Sequence, residues 1–205
     1  AMEVVQTARA LSTMYEQEGL KKTRFGEFKI GLKVGVAFGQ LEWGVVGNGV
    51  KTYYFRGSSI EESSKCQVLA EEQDVVVDES IQQVLLELGE PGVPIRYGYY
   101  AIKKKGLPDY DHGPKAPLDL DPGILRQFLP EAVLTYEGGG EFRMVVSLFI
   151  SFQGVHDHTS LNALTSLVMD QIKGFSGYFK EVDFGDKGGV MVAFFGAPIS
   201  FENNV

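Results

Sequence analysis

Gly47-Asn48-Gly49, set between the segments EWGVV and VKTYYF, constrains this 205-residue chain more than any other feature. A tight reversal between two strands needs residues that tolerate positive φ, and Gly and Asn do so at the least steric cost. The flanking strands must therefore run antiparallel. Gly185-Asp186 repeats the signal between strands predicted at 178–184 and 189–195. Helical periods separate the hairpins. Val4, Ala8, Leu11 and Tyr15 recur at helical spacing, with Gly19 where a C-terminal cap belongs. Residues 58–72 read as a polar helix with Ile60, Val68 and Leu69 inward, and 79–88 as another. Leu161, Leu164, Val168 and Ile172 mark a long amphipathic helix. Ile30, Leu32, Val34 and Val36 share one face of a predicted strand, and Gly31 and Gly35 leave its other face bare for close approach. Val75–Val77 and Ile95–Ile102 read as further strands. The apolar run from Met144 to Ile150 fits a central strand buried on both faces. Helices alternating with antiparallel strands place the chain in the α+β class.

Residues 105–122 hold four of the eight prolines and divide the sequence. Three segments result: 1–104, a linker with a short helix at 105–140 (ILRQFLPEAV, interrupted at Pro130), and 141–205. The length suits one domain or one and a half, with ample core. A hydrophobic content of 44% against 22% charged marks a globular chain. The net charge of −8 argues against a nucleic-acid surface and against tethering to an anionic membrane. The single cysteine, Cys66, cannot form an internal disulfide, which fits a reducing compartment. The longest apolar stretch, near residues 190–199, is about half a membrane span, and the opening residues lack the charged-then-apolar pattern expected of a signal peptide. A cytoplasmic location is expected.

The order EFRMVVSLFISFQG, long helix, GYFKEVDFGDKGGVMVAFFGAP resembles the first half of a class III nucleotidyl cyclase homology domain. FGDKGGVMVAFFGAP is its most specific phrase, similar to the second domain of soluble-type adenylyl cyclases and of bacterial cyclase/ATPase regulators. KIGLKVGVAFGQ, the first hairpin, YYFRGSSIEESSKCQVLA and DVVVDESI resemble the second half of such a domain, the first of a tandem pair, and FLPEAV resembles the joining segment. The resemblance implies a ferredoxin-like cyclase fold, mostly antiparallel with flanking helices. The chain would carry the second half of one domain and the first half of the next. The halves would associate, either in permuted order within one chain or by exchange in a swapped dimer, because each alone exposes an apolar sheet edge.

Cyclases of this class hold two Mg²⁺ or Mn²⁺ ions between two carboxylates, and the ions activate a ribose hydroxyl and steady the triphosphate of ATP. By resemblance, the carboxylate positions fall on Ser151 and Asp186. One carboxylate makes a poor metal site, so no cofactor is expected in this chain; read alone, Asp186 is also a good turn residue. Near the base-contacting positions stand Phe55 and Arg56, while Glu61 and Lys65 replace the family's Asn and Arg. Lysine lacks the planar fork of arginine, and Glu61 would repel phosphate. In pseudo-heterodimeric relatives such departures belong to the silent one of two pockets. The resemblance therefore implies a parent that turns ATP into cyclic AMP and pyrophosphate, partnered by the remaining halves of the tandem domains. This chain would be catalytically incomplete and would line a regulatory pocket for ATP or a small anion with Arg56, Lys65, Ser151 and Lys187. Solvated surface side chains are the plain alternative for Arg56, Lys65 and Lys187. The competing function is a non-catalytic sensing or dimerisation module, and an RRM-like RNA platform is disfavoured by charge and by the lack of paired aromatics in a basic strand.

Other motifs read as structure. His156-Asp157-His158 precedes a helix, so an N-terminal cap by Asp157 or Thr159 is expected in place of a metal site. DYDHG and DLDPG do not continue as calcium loops, and the glycines 44, 47 and 49 are not followed by a phosphate-loop helix. Lys103–Lys105 reads as a solvated strand end, and Cys66 as a packed thiol.

Overall fold

The computed structural model describes residues 1–72, 74–102, 121–137, 140, 142–185 and 187–198. Two compact units emerge, one of Ala1–Leu41 with Gly57–Lys115 and the other of Glu42–Arg56 with Ala116–Val205. Both mix helices with mainly antiparallel strands, so the class is α+β. Most of the proline-rich segment, Lys103–Lys105, DYDHG and Asp186 lie outside the described residues. Among the described residues no helix is long and apolar enough to cross a membrane.

The first unit opens with α1 (Met2–Glu18), which buries Val5, Ala8 and Ser12. Gly19 follows it in a right-handed conformation, φ −63°. Positive φ is thus not why glycine stands there; a Cβ would meet the Tyr15 carbonyl oxygen at 2.2 Å and that of Ile30 at 3.0 Å. β1 (Leu20–Thr23) and β2 (Gly26–Lys29) form an exposed antiparallel ribbon. Of the strand expected through 30–36, only β3 (Val34–Val36) forms. β3 runs parallel to β6 (Val75–Asp78), and the sheet continues antiparallel through β8 (Tyr99–Ala101) to β7 (Val93–Arg96). Parallel neighbours need a crossover helix, here α2 (Ser58–Leu69). It lies so close to β3 that a Cβ on Gly35 would stand 2.1 Å from the Ser63 carbonyl oxygen. α3 (Glu79–Glu87) starts at Asp78, whose Oδ1 accepts from the Ile81 N–H at 3.0 Å. The core gathers Val5, Ala8, Val36, Val77, Ile81 and Leu85, with a smaller cluster of Cys66, Ala70 and Val76.

Two further expectations for this unit need correction. Val68 is 64% exposed, and Cys66 takes the inward place on α2. The single strand expected over Ile95–Ile102 is instead the end of one strand and all of the next, reversed at Gly98 with φ 78°.

The second unit is built on β9 (Val146–Phe152), α6 (His158–Gly174), β10 (Tyr178–Gly185) and β11 (Gly188–Phe195). Its sheet has the order β10-β11-β9, antiparallel throughout. β11 is central. β9, expected as a doubly buried central strand, lies at the edge with Val146 68% and Phe149 67% exposed. An apolar run states that a strand can be covered; it does not supply the cover. α6 starts at Asp157, which accepts from the Ser160 N–H at 2.8 Å, as the cap reading requires. The helix packs Leu161, Thr165, Met169 and Ile172 against the sheet. α4 (Pro122–Phe128) and α5 (Glu131–Leu134) are separated at Pro130, as expected.

To this unit also belongs the hairpin of β4 (Glu42–Val46) and β5 (Thr52–Arg56), which comes from the first segment of the sequence. It packs on α6 and β10, and its Val46 and Tyr54 share one core with Leu161, Met169, Phe179, Val182 and Met191. Gly47 at its turn has φ 114° and donates its N–H to Asn162 Oδ1 of α6 at 2.9 Å.

Candidate functional site

Strand alternation sends successive β5 side chains to opposite faces. Thr52 and Tyr54 go inward and Arg56 follows them, while Tyr53 and Phe55 go outward, 59% and 43% exposed. Phe55 and Arg56, neighbours in sequence, therefore do not face one site. Phe55 instead meets Tyr53 edge-on at 5.9 Å and pairs across the ladder with Trp43.

Arg56 is the centre of a polar cluster. Its cross-strand partner is Glu42, which accepts from Nε at 3.0 Å and from Nη2 at 2.8 and 2.9 Å. The same guanidinium donates to the Val155 carbonyl through Nη1 at 3.1 Å and to the His156 carbonyl through Nη2 at 2.8 Å. It lies 5.6 Å from the Tyr54 ring centre and 5.9 Å from that of Phe184, and its side chain is only 11% exposed. A planar fork suits this combination of bidentate pairing, carbonyl donation and ring contact; an ammonium could not satisfy all of it.

Tyr54 completes the cluster. Its hydroxyl donates to Glu42 Oε1 at 2.6 Å and lies 3.1 Å from His158 Nδ1, with the two rings stacked at 6.0 Å. Gly44, opposite Tyr54 in the ladder, gives the ring room: a Cβ there would stand 3.0 Å from Tyr54 and 3.1 Å from His158 Nδ1. Burial, reinforced by the Glu42 carboxylate, pushes the Tyr54 phenol up to about 12. The Tyr54 hydrogen bond, then the Arg56 guanidinium, holds Glu42 below the usual carboxylate range.

Ser151 and Lys187 lie at the same end of the three-stranded sheet. Phe152 pairs with Gly189 and Ser151 with Val190, just inside the turn that closes at Gly185 and Gly188. Both side chains are exposed. The loop held by Arg56 follows the same end of β9, and below it Phe152 and Phe184 pack edge-to-face at 5.6 Å. Asp186 lies outside the described residues. Glu61 and Lys65 stand on α2 in the first unit; Glu61 is exposed, and Lys65 donates to Glu62 at 2.6 Å. Glu62 also accepts from the Tyr99 hydroxyl at 2.9 Å. Among the described residues no group of three His, Cys, Asp or Glu side chains could hold a metal ion. The Cys66 thiol is buried and pushed up to about 12, as befits a packed side chain.

Sequence reasoning missed Glu42, Tyr54 and His158. The Glu42–Arg56 pair was recoverable in principle as opposite charges across a hairpin, but the loop is five residues, 47–51, and not the two-residue turn that Gly-Asn-Gly suggests. In sequence, His158 reads as part of a capping motif, which in fact uses its neighbour Asp157. Neither a model of a known protein family nor a curated protein matches the chain.

Proposed function

We propose that the chain is the inner half of a tandem class III cyclase-type pair, catalytically incomplete, and that it forms the silent side of the pair's interface. The observation that carries this reading is the seating of hairpin 42–56 in one core with the strand, helix and hairpin of 146–195. A paired arrangement of cyclase-type halves requires such a partnership between the first sequence segment and the third. Ser151 near the 185–188 turn supports it further: the sheet end that would carry two metal-binding carboxylates offers a hydroxyl at one of the two positions. Ferredoxin-like topology, ATP as the parent's substrate and Mg²⁺ or Mn²⁺ as its cofactor belong to the same proposal.

Cyclic AMP formation from ATP and Mn²⁺ tests it. The 205-residue chain should show no turnover, and the same chain with its native flanking sequence should show it. Cyclic AMP from the isolated chain, or none from the flanked protein, contradicts the reading.

A second reading, a sensing or dimerisation module without a cyclase parent, is favoured by one contact. The Glu42 carboxylate occupies the Arg56 fork, where a bound anion would otherwise sit. Calorimetry with ATP and with inorganic phosphate separates the two: a purely structural module binds neither, whereas a regulatory pocket binds at least one.

A further inference from the structure

The β1–β2 ribbon belongs to a strongly basic stretch of a chain whose net charge is −8: residues 20–33 carry five cationic side chains against the single Glu27. Every strand residue of the ribbon is exposed, so it stands out from the first unit. The Ile30 N–H closes its base by donating to the Gly19 carbonyl at 2.8 Å, and a Lys29–Glu72 ion pair at 3.0 Å ties that base to the unit. Its tip has a fixed shape. Thr23 Oγ1 accepts the Phe25 N–H and donates to the Gly26 carbonyl, both at 3.1 Å, and Gly26 takes φ 131°.

The two faces of the ribbon differ. Cross-strand pairing puts Lys22 with Glu27 and Leu20 with Lys29 on one face, and Lys21 with Phe28 on the other. On the first face both lysines are neutralised, Lys22 by Glu27 at 3.0 Å and Lys29 by Glu72. On the second, Lys21 has no carboxylate partner among the described residues. Phe28 is 52% exposed, and its ring reaches towards the tip, where a Cβ on Gly26 would meet it at 4.0 Å. At the tip Phe25 is 74% exposed, and the Arg24 guanidinium lies 4.6 Å from its ring centre, likewise without a carboxylate among the described residues. Two free cations thus stand beside two exposed rings.

We propose that this ribbon docks on an anionic lipid bilayer, with Phe25 and Phe28 entering the headgroup region while Lys21 and Arg24 meet lipid phosphates and carboxylates. Rings flanked by cations suit that interface, which is apolar below and negative above. The net charge of the whole chain does not prevent it. A four-residue strand runs about 13 Å, beyond the Debye length of about 8 Å in physiological salt, so the tip is largely screened from acidic groups elsewhere. Nucleic acid fits less well: two free cations neutralise few phosphates, and the exposed rings gain nothing from a hydrated groove. The proposal does not depend on the cyclase-type reading.

Co-sedimentation of the 205-residue protein with phosphatidylserine-containing vesicles, and with vesicles of phosphatidylcholine alone, tests it. The protein should sediment with the first, less so as salt rises, and stay in solution with the second. A Lys21→Gln, Arg24→Gln double variant should bind about tenfold more weakly or worse, at about fivefold for each cation lost. Phe25→Ser should weaken binding by about tenfold, because a ring no longer leaves water. All three positions are exposed, so folding is spared. Tyr97→Ser, at an aromatic 99% exposed outside the ribbon, should leave binding unchanged. Phe25→Trp should show a blue-shifted emission on the anionic vesicles. Absence of sedimentation, equal binding to both vesicles, undiminished binding of Phe25→Ser or of the double variant, or preference for a DNA duplex over the vesicles would each overturn it.

Discussion

Arg56 shows how much one side chain can organise when all three guanidinium nitrogens donate to fixed acceptors. It joins a cross-strand carboxylate, two loop carbonyls and two aromatic rings within the second unit. Arg56→Ala strands the Val155 and His156 carbonyls and leaves Glu42 without its ion pair. A loss of about 1–3 kcal/mol is expected in urea unfolding, with Arg56→Lys recovering only part of it. The pH dependence of Tyr54 has a definite sign. Its phenol titrates near 12 in the folded chain against 10.0 ordinarily, so the unfolded chain releases the proton first. The stabilisation is complete below pH 10 and is lost as pH rises towards 12. Tyr54→Phe should flatten the alkaline limb of a stability-against-pH curve; an unchanged limb would mean that the hydroxyl is not held as described. Glu42 acts in the opposite sense, since its lowered value gives stabilisation that disappears as pH falls below about 4.5. Glu42→Gln should make the acid limb shallower. Residue-level chemistry was the least legible part of the sequence. Arg56 stood out as a candidate cation, but its engagement by Glu42, Tyr54 and two carbonyls depends on a five-residue loop register and on a loop about a hundred positions away.

Elements were more legible, because periodicity and turn chemistry act locally. The close approach expected at Gly31 and Gly35 is real, although only Gly35 lies in a strand: Gly35 meets the α2 backbone, and a Cβ on Gly31 would stand 2.8 Å from the Glu72 side chain. Gly35→Ala forces β3 and α2 apart, where backbone cannot yield as a side-chain tip can, and about 1–3 kcal/mol or more should be lost in thermal or urea unfolding. What periodicity could not supply was neighbourhood. It could not tell that β9 ends a sheet, that Gly98 reverses a segment expected to run straight, or that Val68 on α2 meets solvent while Cys66 is covered. The hairpin turn is a further case. Asn162 looks like an ordinary polar position on α6, yet its side chain accepts the Gly47 N–H and ties helix to turn. Asn162→Ala should cost about 1 kcal/mol, and a neutral result would show that the turn needs no such tie.

At the scale of the molecule, the sequence divides at its prolines whereas packing divides at the hairpin. Residues 42–56 interrupt the first unit's chain and supply Val46 and Tyr54 to the second unit's core. The proposed function rests on that exchange, since a tandem cyclase-type pair needs its first segment to meet its third. Hydrogen exchange read by mass spectrometry on the intact chain addresses the exchange directly. Peptides covering Thr52–Arg56 should be protected to the same degree as those covering α6, and Tyr54→Ala should raise exchange in both together while leaving β6 unchanged. Hairpin amides that exchange independently of α6, or that follow β6 in the variant, would contradict the joining of the two segments in one core.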